Sequence, residues 1–471
     1  MPSTVYDSLL YRDAFGTPAM RAIFSDESFI AAAAKVEISL ARVQGKLGVI
    51  PAVAATTIET AGAGIAIDFA KLKAETDNVG YPVVGLVHQM ASHCGDAGRY
   101  LHWGATTQDI MDTATILQIR DGIALVDADL AALDETLAAL SRRYRDTVMA
   151  GRTHLQHALP ITFGHKTAVW LSMIRRHRER LAQLKPRVLN GQFAGAAGTL
   201  ASLGDQGLAV HDALMADLGL GVPSMTWHSA RDSMAETVAF LGLVTASLAK
   251  IATDVMLMMQ TEIAEAFEPF VKGRGASSTM PQKRNPISCE LIIAIAKAVR
   301  QHCGLMLDAM LADHERATGP WHLEWIAVPE SFIASASALH QARFMLDGLI
   351  VDAARMRQNL DITGGLIVAE AVMMALAKHV GRGAAHDAVY ACCRKVADTG
   401  GTLLSHLVAD REITKHLDEA QLASLVDPVN YLGAATNMVD RMLALTFVRS
   451  DFPDGKPAAA DDIIHRSQAL R

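Results

Sequence analysis

Eight apolar residues, Ile116, Ile119, Ile123, Val126, Leu130, Leu133, Leu137 and Leu140, recur at alternating steps of three and four. This spacing traces one face of an α-helix and is incompatible with a strand, whose side chains alternate every second residue. A seam sustained for nearly four heptads needs apolar helical partners along its whole length. Ala128, Ala131, Ala132, Ala138 and Ala139 beside it let those partners come close. Similar apolar stretches predict long helices over about 162–184, 235–267 and 288–310. The expected fold class is therefore all-α: an elongated central bundle of long helices with smaller helical N- and C-terminal domains. A chain that is 51% hydrophobic but only 5% aromatic agrees, since Ala, Leu, Val and Met suit helix packing.

A chain of 471 residues exceeds one ordinary core. The expected division is an N-terminal helical domain over 1–112, the long-helix bundle over 113–354, and a C-terminal helical domain with a tail over 355–471. Breaks at Gly364-Gly365, Gly381 to Gly383 and Gly400-Gly401 mark the shorter helices of the last region, and the polar, Pro-containing stretch 450–462 reads as tail. Lys plus Arg number 43 against 50 Asp plus Glu, a net charge of −7, so there is no footprint for nucleic acid and an anionic ligand must meet local cations. The five cysteines, Cys94, Cys289, Cys303, Cys392 and Cys393, are scattered and odd in number, which argues against a disulfide framework and for reducing cytoplasm. The most apolar stretch, 238–259, is broken by Lys250 and Asp254, and no basic-then-apolar leader opens the chain, so no membrane partner is expected.

Three polar clusters interrupt the apolar sequence. The longest, 268–286, is punctuated by Gly273, Gly275, Pro281 and Pro286 and cannot be one helix. It gathers Ser277, Ser278, Lys283 and Asn285, a hydroxyl, a cation and an amide suited to an anionic substrate. A second, His102-Trp103-Gly104-Ala105-Thr106-Thr107-Gln108-Asp109, stands just before the heptad helix, where it can cap that helix and hold a carboxylate on backbone N–H groups. The third, Gly151 to Pro160, carries Thr153, His154, Gln156 and His157. Histidines three apart could share a metal, but no third ligand or His-Glu-x-x-His motif accompanies them, so no metal is assigned and proton transfer or hydrogen bonding is the expected task. Trp227 to Asp232 and His314 to Trp325 add further cations and aromatics. The glycines of 191–198 lack a preceding strand, so no dinucleotide or phosphate loop is present and no cofactor is expected.

The run Gly-Ala-Ser-Ser-Thr-Met-Pro-Gln-Lys-Arg-Asn-Pro over 275–286 resembles the signature loop of the aspartase/fumarase superfamily, usually Gly-Ser-Ser-x-Met-Pro-x-Lys-x-Asn-Pro. The clusters around Thr106 to Asp109 and Thr153-His154 resemble its other signature regions, in the same order, so the likeness covers nearly the whole chain. It implies homotetramers with a twenty-helix core, active sites shared between three subunits, and removal of a proton α to a carboxylate through an aci-carboxylate with loss of a β-substituent. By residue-for-residue likeness Ser277 would be the base, Lys283 and Asn285 would hold the carboxylate and its developing charge, and His154 would serve the leaving side. Thr106, Thr107 and Gln108 would grip a second carboxylate, and His102, Thr153, Gln156, Ser278, Arg316 and Trp325 complete the implied substrate-binding set. A serine is a feeble base unless cations and N–H groups stabilise its alkoxide, which Lys283 and a Gly-rich loop before a helix can do. One departure is Ala276, where the superfamily usually has Gly.

Within the superfamily, Thr17 to Asp26, Gly151 to Pro160, Glu315-Arg316 with Trp321 to Trp325, and Asp427 to Gly433 are similar to the 3-carboxy-cis,cis-muconate cycloisomerase branch. Adenylosuccinate lyases usually run from Glu-Arg to Ser-Ser-x-Glu-Arg; Trp321, His322 and Trp325 stand there instead, which removes a bidentate phosphate partner and favours a small polycarboxylate over a nucleotide. The likeness implies lactonisation of carboxymuconate without cofactor. Two alternatives stay open: a C–N lyase releasing fumarate from an N-substituted aspartate or related succinyl compound, and a helical scaffold without catalysis.

Overall fold

The computed structural model describes residues 4–316 and 318–445; the 450–462 tail lies outside them. The heptad seam forms a single helix, Thr107–Arg143, of 37 residues. All eight seam residues are buried. At the helix start the Thr106 backbone N–H donates to Asp109 Oδ2 at 3.0 Å, satisfying a terminal group of the kind that water would otherwise have to reach. Arg142 and Arg143 close the other end, where cations favour the helix dipole.

Around this rod the chain runs up and down. Phe163–Val188 descends, Asp232–Met258 ascends, Ile287–Ala309 descends and Pro320–Asp347 ascends. Cross-links fix the sense: Arg231 meets Asp112 and Arg316 meets Thr106 at the lower end, while Arg152 meets Glu265 at the upper. At 1.5 Å per residue the 37-residue rod is about 55 Å long, so its two ends are far apart within one chain. The core follows the bundle, with Leu130, Leu133, Leu171, Ile174, Val244, Leu248, Ile292 and Leu339 among its fully buried members.

One expectation needs correction. The helix expected to reach 267 ends at Met258. Ala264 adopts φ 52°, and Ala266–Phe267 pairs as a short antiparallel strand with Ile350–Val351; Glu265 between them is fully buried against Arg152, so its charge is matched there rather than in water. The 151–160 cluster, to which no element was assigned, forms an antiparallel hairpin, Val148–Thr153 with Gln156–Thr162. The irregularity between Ala150 and Arg152 in its register falls at Gly151, where a Cβ would meet Leu159 O at 2.6 Å. Beyond 365 the helices are short, Ala369–Val380 and Arg382–Thr399 the longest, and Val372, Leu376, Val389, Leu403 and Leu407 build an apolar cluster separate from the bundle core.

Candidate active site

The lower end is held by a buried polar network. Asp109, fully buried, accepts at Oδ1 from Ala194 N–H at 2.9 Å and His228 Nε2 at 2.7 Å, and at Oδ2 from Gly195 N–H at 2.9 Å and Thr106 N–H at 3.0 Å. One turn on, Asp112 takes both terminal nitrogens of Arg231, at 2.8 and 3.0 Å, and the Trp321 indole N–H at 3.1 Å. Glu324 completes a second fork on Arg231, with Nε to Oε1 at 2.7 Å. The guanidinium is thus flanked by two carboxylates, all three nearly water-free. Burial pushes the Glu324 carboxyl above its ordinary value, and Arg231 only partly offsets it.

This network presents a set of groups at the surface. Arg316 Nη1 donates to Thr106 Oγ1 at 2.6 Å, and its other terminal nitrogen to the Ala196 carbonyl. Next to the Trp321 anchor, Tyr81, His322 and Trp325 form an aromatic wall: Tyr81 lies 5.7 Å from Trp321 and 5.9 Å from Trp325, and His322 lies 4.4 Å from Trp325, centroid to centroid. Trp325 keeps 38% exposure, and the buried His322 Nδ1 has no hydrogen-bond partner among the described residues. His102, also at this end, is bonded to Glu37. Thr107 is half-buried. Gln108 is buried, its Nε2 donating to Asp112 Oδ2 at 3.1 Å and the His228 carbonyl at 3.0 Å.

At the upper end the hairpin turns through His154 and Leu155, at φ 51° and 62°. Two successive left-handed residues between the Thr153–Gln156 pair are the mark of a two-residue mirror-image turn, which ordinarily selects Asn-Gly. Thr153, His154, Leu155 and Gln156 are all exposed. Arg152, by contrast, is locked to Glu265 by two bonds of 2.8 and 2.7 Å, with Asn359 on the same carboxylate at 2.8 Å. His157 is half-buried; burial and then Arg152 depress its affinity for a proton, Glu265 opposing them, which favours the neutral ring.

The 268–286 loop is anchored at its base. Glu268 accepts from Ser288 and Cys289 N–H, at 3.2 and 2.8 Å, an acid on the open amides of the Ile287–Ala309 helix. Arg274 bonds Ser288 Oγ and Gln341 Oε1, both at 2.7 Å, and lies over Phe344; Arg284 lies over Phe267 and Phe270 and donates to the Glu268 carbonyl. These arginines are struts. Lys283 is exposed and its ammonium has no partner among the described residues. Asn285 N–H donates to Gly275 O at 3.0 Å, and Ala276 pairs with Arg284, so a narrow neck brings Ser277 and Lys283 to its two sides. The Ser277 hydroxyl oxygen accepts from the Met280 and Thr279 N–H groups at 3.1 and 3.3 Å. Ser278 is exposed and Asn285 half-buried.

Ala276 causes no strain. The left-handed residue is Gly275, at φ 69°, where a Cβ would lie 2.6 Å from the Asn285 carbonyl.

One chain therefore joins Thr106, Arg316, His102 and Trp325 at its lower end and carries His154, Ser277, Lys283 and Asn285 at its upper. Among the described residues no hydrogen bond or ion pair links the 101–109, 151–160 and 268–286 clusters to one another. A cleft of about 580 Å³ elsewhere, lined by Lys35, Ile38, Ser39, Arg42 and Ile67, holds none of the candidate residues, and the recess beside Arg274, Arg284 and Asn285 is only about 10 Å³. Sequence reasoning missed Glu37, Asp112, Glu265, Glu268 and Tyr81. A signal existed for two of them: Glu37 falls on the same helical stripe as Ala33, Leu40 and Gln44, and Asp112 extends the seam one turn back from Ile116.

Comparison with known proteins gives the following. The family model described as "Lyase" matches residues 14–300, and "Adenylosuccinate lyase C-terminus" matches 365–442. Trans-aconitate decarboxylase 1 of Mycosarcoma maydis is 49% identical over 92% of this chain and 88% of its own length. The 3-carboxy-cis,cis-muconate cycloisomerase of Pseudomonas aeruginosa is 45% identical over 94% of this chain and 97% of its own. The crystal structure of a fumarate lyase from Mesorhizobium sp. BNC1 superposes with a TM-score of 0.87 at 55% identity, covering 91% of this chain and 98% of that one.

Proposed function

The chain belongs to the fumarase/aspartase lyase superfamily and is an enzyme, and from that premise we propose that it acts on a small unsaturated polycarboxylate, transferring a proton α to a carboxylate while a β C–O bond is made or broken, with 3-carboxy-cis,cis-muconate as the leading substrate. The observations that carry this reading are the aromatic wall of Tyr81, His322 and Trp325 and, at the same end of the bundle, Arg316 held on Thr106: rings for a flat, conjugated acid and a guanidinium for its carboxylate. In the proposed site Ser277 is the base. Two N–H groups aimed at its oxygen stabilise an alkoxide, and Lys283 across the neck supplies the positive charge that an aci-carboxylate needs. His154, with Thr153 and Gln156 at the exposed turn, serves the leaving side. In lactonisation a carboxylate of the substrate adds to its own double bond, so nothing dissociates.

We also propose a homotetramer with shared sites. A rod of about 55 Å separates Thr106 and Arg316 from the upper-end residues, so a site using both sets draws on at least two chains. Ser277→Ala and Arg316→Ala chains, each inactive alone, should regain partial activity after subunit exchange; no recovery in verified hybrids argues against sharing.

A second reading, a lyase that releases fumarate from an N-substituted aspartate or similar succinyl compound, is favoured by the 55% identity to a fumarate lyase. The same base and clamps serve it. A spectrophotometric panel separates the readings: carboxymuconate should lose its ultraviolet absorbance as conjugation is consumed, whereas the second reading requires fumarate to appear from the succinyl compound. Trans-aconitate belongs in the panel, and adenylosuccinate should be inert.

A further inference from the structure

Glu37 is the fully buried acid at the lower end to which no role has so far been given. It stands in the Asp26–Lys46 helix between Ala33, Val36, Leu40 and Ala41, all buried. A carboxylate among such neighbours is costly unless its oxygens are matched. Both are spent on one residue: Oε2 accepts the His102 backbone N–H at 3.1 Å, and Oε1 lies 2.6 Å from His102 Nδ1. His102 itself is held at φ 58°, a left-handed conformation that costs a non-glycine residue roughly 1–2 kcal/mol. The carboxylate thus fixes the backbone and the ring together. Nδ1 is occupied; Nε2 makes no hydrogen bond among the described residues, and a quarter of the side chain is exposed (25%). The charged groups facing the ring are Glu37 from its helix and Asp109 from the first turn of the rod. Asp109 shares its own charge with His228, and Arg316 reaches only Thr106 in this segment.

We propose that Glu37 is a positioning residue that holds His102 as an imidazolium with Nε2–H turned outward, so that the pair presents a fixed cationic donor to a substrate carboxylate beside Thr106 and Arg316. This rests on the polycarboxylate reading above. Burial works against a charge on His102, but the hydrogen bond and charge of Glu37, helped by Asp109, outweigh it and hold the ring's pKa above its ordinary value. The charge is then present at low pH and is lost as pH rises through that higher value.

Glu37→Gln tests the latch, since it keeps volume and an acceptor for the His102 N–H but removes the charge. The first readout needs no substrate: histidines labelled with ¹³C at Cε1 are titrated by NMR, with the His102 signal identified by its loss in His102→Gln. In the parent it should titrate above the free-histidine value of about 6.5, and in Glu37→Gln lower than in the parent. The second readout is calorimetric binding of tricarballylate, a saturated tricarboxylate. Parent and variant should bind alike well below both midpoints, and between them the variant should bind about tenfold more weakly. A parent His102 that titrates at or below the free value overturns the proposal, as does a variant that loses affinity equally at every pH. Should Glu37→Gln not fold, the parent titration decides. If tricarballylate does not bind while His102 titrates high and falls in the variant, the polycarboxylate reading fails and the latch stands.

Discussion

The two ends of the bundle solve opposite problems. At the lower end Asp109, Asp112, Arg231 and Glu324 are sealed from water and pinned by one another, so the groups they present are set before any ligand arrives. At the upper end His154, Ser278 and Lys283 are exposed, and order comes from local backbone geometry: a neck, a turn and two arginine struts. Both ends rest on buried charge, Glu265 on Arg152 and Glu268 on the Ser288 and Cys289 amides at the upper one, but there the displayed groups stand on an exposed turn and loop. The proposed recognition groups are therefore fixed within each chain, whereas the proposed proton-transfer residues stand open at its other end.

The largest expected effect breaks the upper end chemically without touching its shape. Ser277→Ala should lower kcat by about 10³–10⁴-fold while substrate affinity stays within about tenfold, because a base acts only in the transition state. Activity equal to the parent's would remove Ser277 from the mechanism. The corresponding break at the lower end is structural. Arg231→Leu leaves Asp112 and Glu324 buried without their cation and should cost about 3–5 kcal/mol in thermal or denaturant unfolding; a loss under about 1 kcal/mol would contradict a sealed network.

Glu324→Gln sharpens the contrast through pH. The folded-state pKa of Glu324 is raised, mainly by burial, so its contribution to stability is fully present below its unfolded value and is lost as pH rises through the folded one. The variant should therefore gain on the parent as pH is raised from about 4.5. A constant difference across that range would contradict the shift. The smallest effects separate two adjacent residues of the upper neck. Gly275→Ala should cost about 1–2 kcal/mol, from its left-handed φ and the Asn285 carbonyl behind it. Ala276→Gly should cost under about 1 kcal/mol and leave turnover within about twofold. If the order is reversed, the neck is not what holds the loop.

Much of the bundle was legible because the period of the 116–140 seam is a local property, and burial of all eight residues repeats it in space. The capping turn at Thr106 was legible for the same reason. The hairpin was not, since its turn uses His154-Leu155 where a reader looks for Asn-Gly, and Gly151 resembles a loop residue. Beyond the helix stop at Met258, Ala266 pairs with Val351, some 85 residues downstream of it by the numbering, which no window can hold. Among the candidate residues, those in the 268–286 loop were visible as a chemical cluster. The roles of Arg274 and Arg284 were not, because a cation reads as a ligand for anions until Phe344, Phe267 and Phe270 are found beneath it. The bonds of the Gln108 amide to Asp112 and the His228 carbonyl were not legible either, because His228 lies far along the chain.

The length of the rod has a mutational consequence. Substitutions far apart with no common neighbours act nearly independently, and the aromatic wall and the serine loop are anchored at opposite ends of the same helices. Within one chain, Tyr81, His322 and Trp325 can therefore be exchanged without disturbing the supports that hold Ser277 in its own loop, and in the proposed tetramer the two sets would meet only where chains join.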